Sequence, residues 1–367
     1  MKLRELVSSF EAIAPTKLAE SWDNVGLLAG DLDQDVRHVG LTIDLTPAVL
    51  DDLVEKGCDA IYAYHPPIFK PLTRLHAPHP AIRAHALGIA VYSPHTALDV
   101  ALGGTNDVLA DLLDLAERRP IATIKAPEDT VKLVTFVPLE TAEDRDPLKT
   151  VSEAIFEAGG GNIGDYSSCS FRIRGEGTFQ GGASTSPKIG TRGRFERVEE
   201  TRLEIAVPLA RIAAVIEALR ASHPYEEPAF DLVQLKAPPS KLGMGRIGTM
   251  APSSLEDVVA RIKEGLDVAH VLVAGSDRSF RRVAVAAGSA GSLFRDAARA
   301  GAELFVTGEM RHHDALEATS LGLTAISVLH SNSERRTLSS VRDRLAHEHA
   351  ACAFTLSSVD RDPFTIR

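Results

Sequence analysis

The sequence predicts an α/β protein with a mainly parallel sheet in two parts, interrupted by an inserted α+β domain. In both outer segments, 1–125 and 238–367, apolar strand-like runs alternate with helical patterns, as they do in parallel sheets. The middle segment, 126–237, instead contains four strand-like runs and two helical patterns, which is typical of a ferredoxin-like unit. Proline-containing stretches lie at both boundaries, so we expect the middle segment to fold as a separate, inserted domain.

The first elements of the chain are predicted to be a helix, a strand and a second helix. Apolar residues recur at helical spacing over 3–10, and 36–43 is rich in β-branched and aliphatic residues. Because threonine suits the N-cap and proline the first helical position, the second helix should begin at Thr46 and Pro47. It is expected to end at Gly57.

The next two predicted strands each run into a histidine. Buried-type residues over 58–64 lead directly into His65 and Pro66, and a run over 89–92 leads into Ser93-Pro94-His95. Since proline cannot continue a central strand, His65 should stand at the carboxyl end of its strand. Open α/β sheets bind ligands outside the carboxyl ends of their strands, so both histidines are candidates for a site.

The C-terminal segment repeats this rhythm and brings a third histidine, His330, to a strand end. Its predicted strands are 282–287, 303–307 and 323–329, and its predicted helices are 292–299 and 312–320. The insertion is expected to contain strands at 132–137, 168–179, 199–207 and 230–235, and helices at 147–158 and 209–222. Both outer segments therefore direct histidines to the same edge of the predicted sheet.

The composition argues against several classes of protein. Fifty acidic residues against forty basic ones give a formal net charge of −10, with no lysine or arginine stripe, so nucleic acid is not an expected partner. No apolar run reaches the length of a membrane span, and the first residues do not resemble a signal peptide. The three cysteines are widely separated and are expected to be reduced thiols. These features predict a cytoplasmic protein that binds no membrane.

The histidines at the strand ends suggest a metal site. His330 and Glu334 are four residues apart and face the same point if a helix begins within 331–333. His65 and the stretch 95–99, which ends in an aspartate, offer further ligands from the N-terminal segment. Imidazole and carboxylate groups suit Zn, Mn or Fe, and a glutamate can bridge two ions. Each histidine alone would more often be an ordinary polar residue, so the prediction depends on their convergence.

Other motifs have plainer interpretations. Two glycine-rich stretches, 159–164 and 243–248, match the spacing of a dinucleotide fingerprint, but neither follows a strand and opens a helix. Adjacent helical histidines point about 100° apart. His312 and His313 are therefore interpreted as a polar helix start, with a contact to substrate or to a metal ligand as the alternative. The run 223–227 is interpreted as a solvated, turn-forming acidic loop.

Five motifs follow one another along the two outer segments. They are Trp22-Asp23-Asn24-Val25-Gly26-Leu27, Tyr64-His65-Pro66-Pro67-Ile68-Phe69, Ser93-Pro94-His95-Thr96-Ala97-Leu98-Asp99, Thr307-Gly308-Glu309 and His330-Ser331-Asn332-Ser333-Glu334. Together they resemble the motifs of the Nif-three-like (interacting-factor-three) family, whose members are often named GTP cyclohydrolase 1 type 2 homologues. The insertion, with 164–167 and 223–227 as its marks, resembles the PII/CutA-like module of longer bacterial members.

This resemblance implies a dinuclear metal centre within a ring-shaped homohexamer. It assigns His65, Asp99 and Glu334 to a first metal, and His330 with a bridging Glu334 to a second. Bacterial members commonly carry a second histidine where this chain has Tyr64, and a phenol is a poor ligand until it ionises. The resemblance therefore implies one or two divalent ions per chain, Zn, Fe or Mn, with Tyr64 as an additional candidate ligand.

The family name implies a metal-dependent hydrolase that acts on a small molecule. His95 and His313 are the candidate catalytic residues, as proton carriers from the two halves of the chain. The alternative is a non-catalytic metal-binding regulatory or scaffold protein, whose PII-like module senses a ligand. Open coordination positions distinguish the two, because structural metal sites are normally saturated by protein ligands.

Overall fold

The computed structural model describes residues 1–74, 79–123, 130–141, 146–235 and 240–366. The chain has a mixed α/β fold with several sheets, and it divides into two compact units. Unit 1 comprises Met1–Ile124 and Ser240–Arg367, and unit 2 comprises Lys125–Pro239. The predicted domain boundaries, after residues 125 and 237, lie outside the described residues. No helix in the described ranges is long and apolar enough to span a membrane.

Unit 1 is built from short strands and helices that alternate along both outer segments. Its strands are β1 (Gly26–Ala29), β2 (His38–Thr42), β3 (Ala60–Ala63), β4 (Ala90–Ser93), β5 (Ala116–Arg119), β6 (Ala122–Thr123), β11 (Gly243–Met244), β12 (Arg246–Ser253), β13 (Leu272–Ala274), β14 (Phe280–Ser289), β15 (Leu304–Glu309), β16 (Thr324–Ser327) and β17 (Ala353–Leu356). Its helices are α1 (Leu3–Ile13), α2 (Pro47–Glu55), α3 (Pro80–Ala86), α4 (His95–Val100), α5 (Thr105–Leu112), α8 (Leu255–Leu266), α9 (Leu293–Arg299), α10 (His312–Ser320) and α11 (Asn332–Glu348), with a 3₁₀ turn at Thr16–Leu18.

The first sheet of unit 1 has the order β1-β4-β3-β2-β17 and is mainly parallel. All pairs are parallel except that of the edge strand β1 with β4. Every residue of β3 and β4 is buried, as expected for parallel strands that are covered on both faces. Because β17 comes from the C-terminal segment, the two outer segments share this sheet.

The second sheet of unit 1 has the order β13-β16-β15-β14-β12-β5 and is mixed. Its central strands β14, β15 and β16 are parallel, whereas β13, β12 and β5 pair antiparallel to their neighbours. The apolar runs used in the prediction identify strands but carry no information on their direction, so the antiparallel edges were not foreseen. A small antiparallel pair, β6 with β11, again joins the two outer segments.

Local sequence signals explain where the helices around the first sheet begin and end. Helix α2 begins as predicted, with Pro47 in its first turn and the Thr46 hydroxyl accepting a hydrogen bond from the amide of Val49 at 3.3 Å. The stretch predicted as a strand-end loop at 95–99 is instead the short helix α4, so His95 and Asp99 share one helical turn.

Unit 2 is a four-stranded antiparallel sheet with two helices. Its elements are β7 (Thr130–Pro138), α6 (Pro147–Glu157), β8 (Phe171–Gln180), β9 (Phe195–Pro208), a 3₁₀ turn (Leu209–Arg211), α7 (Ile212–Ser222) and β10 (Phe230–Gln234). The strand order is β10-β7-β9-β8. Alternate residues of β7 and β9 form a hydrophobic core with one face of each helix. Among the described residues of unit 2, no helix packs on the other face of the sheet.

The run 223–227 differs from its interpretation as a solvated loop. His223 is buried, its Nδ1 accepts a hydrogen bond from the amide of Tyr225 at 3.0 Å, and its Nε2 lies 3.0 Å from the carbonyl oxygen of Phe136. A nitrogen that accepts a hydrogen bond carries no proton, so this imidazole is neutral and donates through Nε2. Burial lowers the pKa of His223, in keeping with the neutral ring. The histidine therefore fixes this turn against the sheet.

Candidate metal centre

Three of the predicted site residues, His65, His330 and Glu334, lie together in unit 1. His65 follows the end of β3, and His330 follows the end of β16. Helix α11 begins at Asn332, within the predicted range, and carries Glu334 in its first turn. The carboxyl ends of strands in two sheets and the start of one helix therefore deliver these side chains to one point.

The distances within this cluster suit a metal ion. His65 Nε2 lies 3.4 Å from Glu334 Oε2, and His330 Nε2 lies 3.3 Å from Glu334 Oε1. One ligand atom from each residue can be chosen so that all lie within 4.8 Å of one another. Ligands at bond lengths of about 2.0–2.1 Å around a tetrahedral zinc ion are separated by roughly 3.4 Å. Glu334 Oε2 is buried and has no hydrogen-bond partner among the described residues, so the cluster fits a divalent cation.

The outer nitrogens of both imidazoles are held by carboxylates that the sequence analysis did not assign. His65 Nδ1 lies 2.9 Å from Asp44 Oδ1, and His330 Nδ1 lies 3.3 Å from Glu309 Oε1. Such contacts orient a ligating imidazole and raise its basicity. Asp44 lies two residues after the end of β2, and Glu309 ends β15, so both could have been found by examining every strand end for acidic residues.

The charges of the cluster compensate one another in the absence of an ion. Burial alone would lower the pKa of His65, but its hydrogen bond with Asp44 and its close contact with Glu334 raise that pKa to about 10. The hydrogen bond with Glu334 raises the pKa of His330 to about 9. Burial opposes ionisation of Glu334, yet its two histidine partners lower its pKa. The two histidines therefore favour the ionised form of this buried carboxylate.

Tyr64 and Asp99 form a buried pair beside the cluster. The Tyr64 hydroxyl donates a hydrogen bond to Asp99 Oδ1 and lies 3.0 Å from Thr105 Oγ1. Burial, and then repulsion by Asp99 and Glu334, hold the pKa of Tyr64 well above its usual value, so this phenol keeps its proton. Burial and the charge of Glu334 raise the pKa of Asp99 to about 7. In this arrangement the carboxylate of Asp99 is a hydrogen-bond acceptor for Tyr64.

His95 faces the cluster from the start of α4. Its ring centroid lies 5.3 Å from that of His65, and its Nδ1 lies 2.7 Å from Asp23 Oδ1. Burial would raise the pKa of Asp23, but hydrogen bonds from His95 and Thr96 lower it below its usual value. An ionised carboxylate can only accept, so Nδ1 of His95 carries a proton. Asp23 belongs to one of the five motifs, but no role was assigned to it from the sequence.

The second predicted catalytic residue, His313, is placed differently. It is exposed in the first turn of α10, where its ring contacts that of His312 at a centroid distance of 5.3 Å. Among the described contacts, none joins His313 to the cluster of His65, His330 and Glu334. Its catalytic role remains a prediction, and the observed position agrees with the polar helix start.

Two residues of the site adopt left-handed backbone without being glycine. His95 has φ 33° and Leu329, which precedes His330, has φ 71°. Such conformations cost on the order of 1–3 kcal/mol each and persist where surrounding contacts enforce them. They indicate that the backbone on both sides of the cluster is held in place by its neighbours.

Gly288 of β14 brings main chain to the edge of the cluster. A Cβ atom at this position would lie 2.5 Å from Glu334 Oε1 and 3.3 Å from His330 Nε2. The amide of Gly288 also donates to Ser333 Oγ at 2.8 Å. A side chain here would occupy the space of the candidate ligands, so the close approach requires glycine.

Gly288→Ala is therefore expected to reduce zinc affinity on the order of 10- to 100-fold, as other changes beside a metal ligand do. Gly291→Ala is the matched control, because both glycines have positive φ, 61° and 53°, but nothing lies within 4 Å of a Cβ at Gly291. Both variants place alanine at a position with positive φ, but only Gly288→Ala brings a methyl group against Glu334 and His330. Competition with a chromophoric chelator measures the affinities, and equal affinities in the two variants would contradict the placement of the site.

The comparison with known proteins identifies the family. The family model Duf34/NIF3 (NGG1p interacting factor 3) matches residues 1–363. A Bacillus subtilis protein named GTP cyclohydrolase 1 type 2 homolog is 37% identical over 333 residues, covering 89% of this chain and 87% of that protein. A Mycobacterium tuberculosis protein of the same name is 35% identical over 376 aligned residues, covering 100% and 97%.

A solved structure of similar length agrees with these matches. The crystal structure of a Bacillus cereus protein related to NIF3 has a TM-score of 0.66 and 34% identity, covering 100% of this chain and 99% of that chain. A Staphylococcus aureus protein of known structure, 28% identical, has a TM-score of 0.73 over 100% of this chain and 99% of that chain. The family resemblance inferred from the sequence is thus confirmed, and the chain belongs to the DUF34/NIF3 family.

Proposed function

We propose that this protein is a metal-dependent hydrolase whose divalent ion is held by His65, His330 and Glu334. The observation that carries the proposal is the position of the His95–Asp23 pair beside this cluster, with 5.3 Å between the ring centroids of His95 and His65. Three protein ligands leave coordination positions open, whereas a structural tetrahedral site is saturated. A bound divalent ion supplies Lewis acidity, which polarises a carbonyl or makes a water molecule more acidic.

The protein side chains around the cluster supply proton transfer and orientation. Asp23 accepts the proton on Nδ1 of His95, which leaves Nε2 as the nitrogen that would act as the base when the ring is neutral. Asp44 and Glu309 fix the planes of the two candidate ligands. Together these groups provide a general base of fixed tautomer next to a Lewis-acid site, which is the minimum that hydrolysis of a ring or amide carbon requires.

The names of the relatives point to ring opening of a purine nucleotide as the first reaction to test. Metal-reconstituted protein would be assayed against GTP, cyclic amides and phosphoesters, beside Glu334→Ala treated identically. Turnover that is lost in the variant would support the hydrolase. Equal activity in the variant would identify a contaminant, and the absence of turnover on every class would favour a regulatory or scaffold protein.

We also propose that a second ion binds more weakly, held by His330 and a bridging Glu334. With both ions bound, the first would be held by His65, Asp99 and Glu334, as the family resemblance implies. Tyr64 occupies the place of the additional histidine. Its phenol keeps its proton and donates it to Asp99, so it is not available as an anionic ligand for a metal. This proposal predicts a centre that holds one ion firmly and the other loosely.

Tyr64→His is accordingly expected to raise the metal content from about one ion per chain toward two after mild chelation. The substitution adds an imidazole ligand and removes the hydrogen bond that engages Asp99. Elemental analysis measures the content, and Tyr64→Phe, which removes the hydroxyl without adding a ligand, should leave it near one. Two firmly held ions in the unaltered protein would refute the weaker second position.

The organisation and environment of the protein are proposed from the same reasoning. The element order β-α-β-β-α-β and the strand order β10-β7-β9-β8 of unit 2 support a ferredoxin-like, PII/CutA-like domain inserted into the outer domain. A ring-shaped homohexamer in the cytoplasm is the assembly that the family resemblance implies. Light scattering of the purified full chain would test the hexamer, with a mass of six chains expected.

A further inference from the structure

Unit 2 contains a cavity of about 680 Å³ on the face of its sheet that carries no helix. Strand residues form the floor, and side chains within the segments 181–189 and 225–229 form the walls. The amide of Ser186 donates to Glu226 Oε2 at 3.1 Å and thereby joins the two walls. The volume falls within the range of about 300–1,000 Å³ that small-molecule pockets occupy.

A buried carboxylate lies at the floor of this cavity. Glu200 is 8% exposed, and its Oε1 accepts a hydrogen bond from the Tyr225 hydroxyl at 2.7 Å. Its Oε2 lies over Gly177, where a Cβ atom would be 2.0 Å away. Within the described part of the chain, no cationic side chain forms an ion pair with Glu200. A buried carboxylate with one phenol partner and no cation is costly, so this position favours a ligand that brings N–H donors.

Flat aromatic surfaces surround the carboxylate. The rings of Phe179 and Tyr225 lie 6.1 Å apart at 60°, and Phe136 lines the same cavity beneath the guanidinium of Arg202 at 5.8 Å. The charge of Arg202 is already paired with Glu204, whose Oε1 lies 2.9 Å from Nε. The cavity therefore offers stacking surfaces and a carboxylate acceptor, and the charge of Arg202 beside them is already paired.

We propose that this cavity binds a planar nitrogen heterocycle whose edge presents two adjacent N–H donors to Glu200. The two carboxylate oxygens match a pair of parallel N–H groups, and the ring would stack against Phe179 or Phe136. This site belongs to unit 2 alone, and the inference does not depend on the hydrolytic activity proposed for unit 1.

Guanosine, inosine and adenosine are suitable probes because they differ in this edge. Guanosine has adjacent N–H groups, inosine has one, and adenosine places a ring acceptor beside its amino group. Calorimetry with the full-length protein should show guanosine binding at least tenfold more tightly than adenosine, with inosine between them. Glu200→Gln should lower the affinity for guanosine at least tenfold, because a glutamine amide keeps only one acceptor oxygen.

Glu199→Gln is the matched control, since Glu199 is the exposed neighbour of Glu200 on the same strand and points to the opposite face. It should leave guanosine affinity unchanged. Glutamine at position 200 can still accept from Tyr225, so the fold should persist, and unchanged far-ultraviolet circular dichroism would verify this. Gly177→Ala provides a second test. Its methyl group would displace the Glu200 carboxylate and should lower the affinity for guanosine without changing residue 200. Equal affinity for guanosine and adenosine, no binding at millimolar guanosine, or unchanged affinity in Glu200→Gln would overturn the inference.

Discussion

Replacing Glu334 with glutamine is expected to remove the divalent ion almost completely, with a loss in affinity of at least about 100-fold. Glu334 contacts both His65 and His330 and is 3% exposed. Glutamine has nearly the same shape but lacks the negative charge and one of the two acceptor oxygens. Because both candidate metal positions depend on this residue, its loss should affect them together.

Asp44→Asn provides a graded comparison for Glu334→Gln. Asp44 touches the outer nitrogen of His65 and does not itself reach the cluster, so its substitution should cost roughly 10- to 100-fold in affinity. Elemental analysis after dialysis and competition with a chromophoric chelator give metal content and affinity. A Glu334→Gln protein that retains its full metal content would show that the ion binds elsewhere.

The residues of the cluster could be predicted from the sequence because the end of a strand is recognised from the apolar run that precedes it. His65 and His330 each follow an apolar run, and the helix carrying Glu334 begins where the spacing required. Parallel strands end at one edge of a sheet, so the two histidines were expected at one shared edge. This rule needs no knowledge of loop conformation. The expectation of one shared edge was wrong in one respect, because β3 and β16 belong to two different sheets, and the side chains that follow them meet at one point.

The remaining parts of the site depend on loop and turn geometry that local patterns do not encode. Asp23 and Asp44 reach the histidines from separate loops, and Gly288 lies where the pairing of β14 with β15 shifts register. His95 was assigned to a loop, although its backbone starts helix α4 in a strained conformation. His223 was predicted to be solvated, but it is buried because its turn packs on the sheet next to Phe136. This contact joins residues that are distant in the sequence, so a local pattern could not reveal it.

The buried pair of Arg246 and Asp107 is expected to control the stability of unit 1. Arg246 on β12 is 1% exposed and binds Asp107 on α5 through two hydrogen bonds, Nε–Oδ1 at 2.7 Å and Nη2–Oδ2 at 2.9 Å. Its remaining donors bind the carbonyl oxygens of Gly243, Gly245 and Ala101. All five guanidinium protons are therefore used, and the pair ties the N-terminal segment to the C-terminal one.

Arg246→Leu should lower the free energy of unfolding of unit 1 by about 3–5 kcal/mol, because the Asp107 carboxylate loses two hydrogen bonds from a cation and three carbonyl groups lose their donor. Denaturant unfolding followed by the fluorescence of Trp22, the single tryptophan of the chain, reports on unit 1. The exposed pair of Arg261 and Asp114, 3.5 Å apart, supplies the control, and Arg261→Leu should cost no more than about 1 kcal/mol.

The double variant Arg246→Leu with Asp107→Leu distinguishes two contributions to stability. One is the cost of leaving the Asp107 carboxylate without Arg246, and the other is the stabilisation that the ion pair itself provides. The carboxylate that remains in Arg246→Leu is expected to cause most of the decrease in the free energy of unfolding. In that case the double variant should be about 1–3 kcal/mol more stable than the sum of the two single-variant effects predicts. The amide of Gly103, which also donates to Asp107, remains unpaired in the double variant, so recovery should be incomplete. Strictly additive losses would mean that the two segments are joined mainly by the shared strands, β17 with β2 and β5 with β12, rather than by this ion pair.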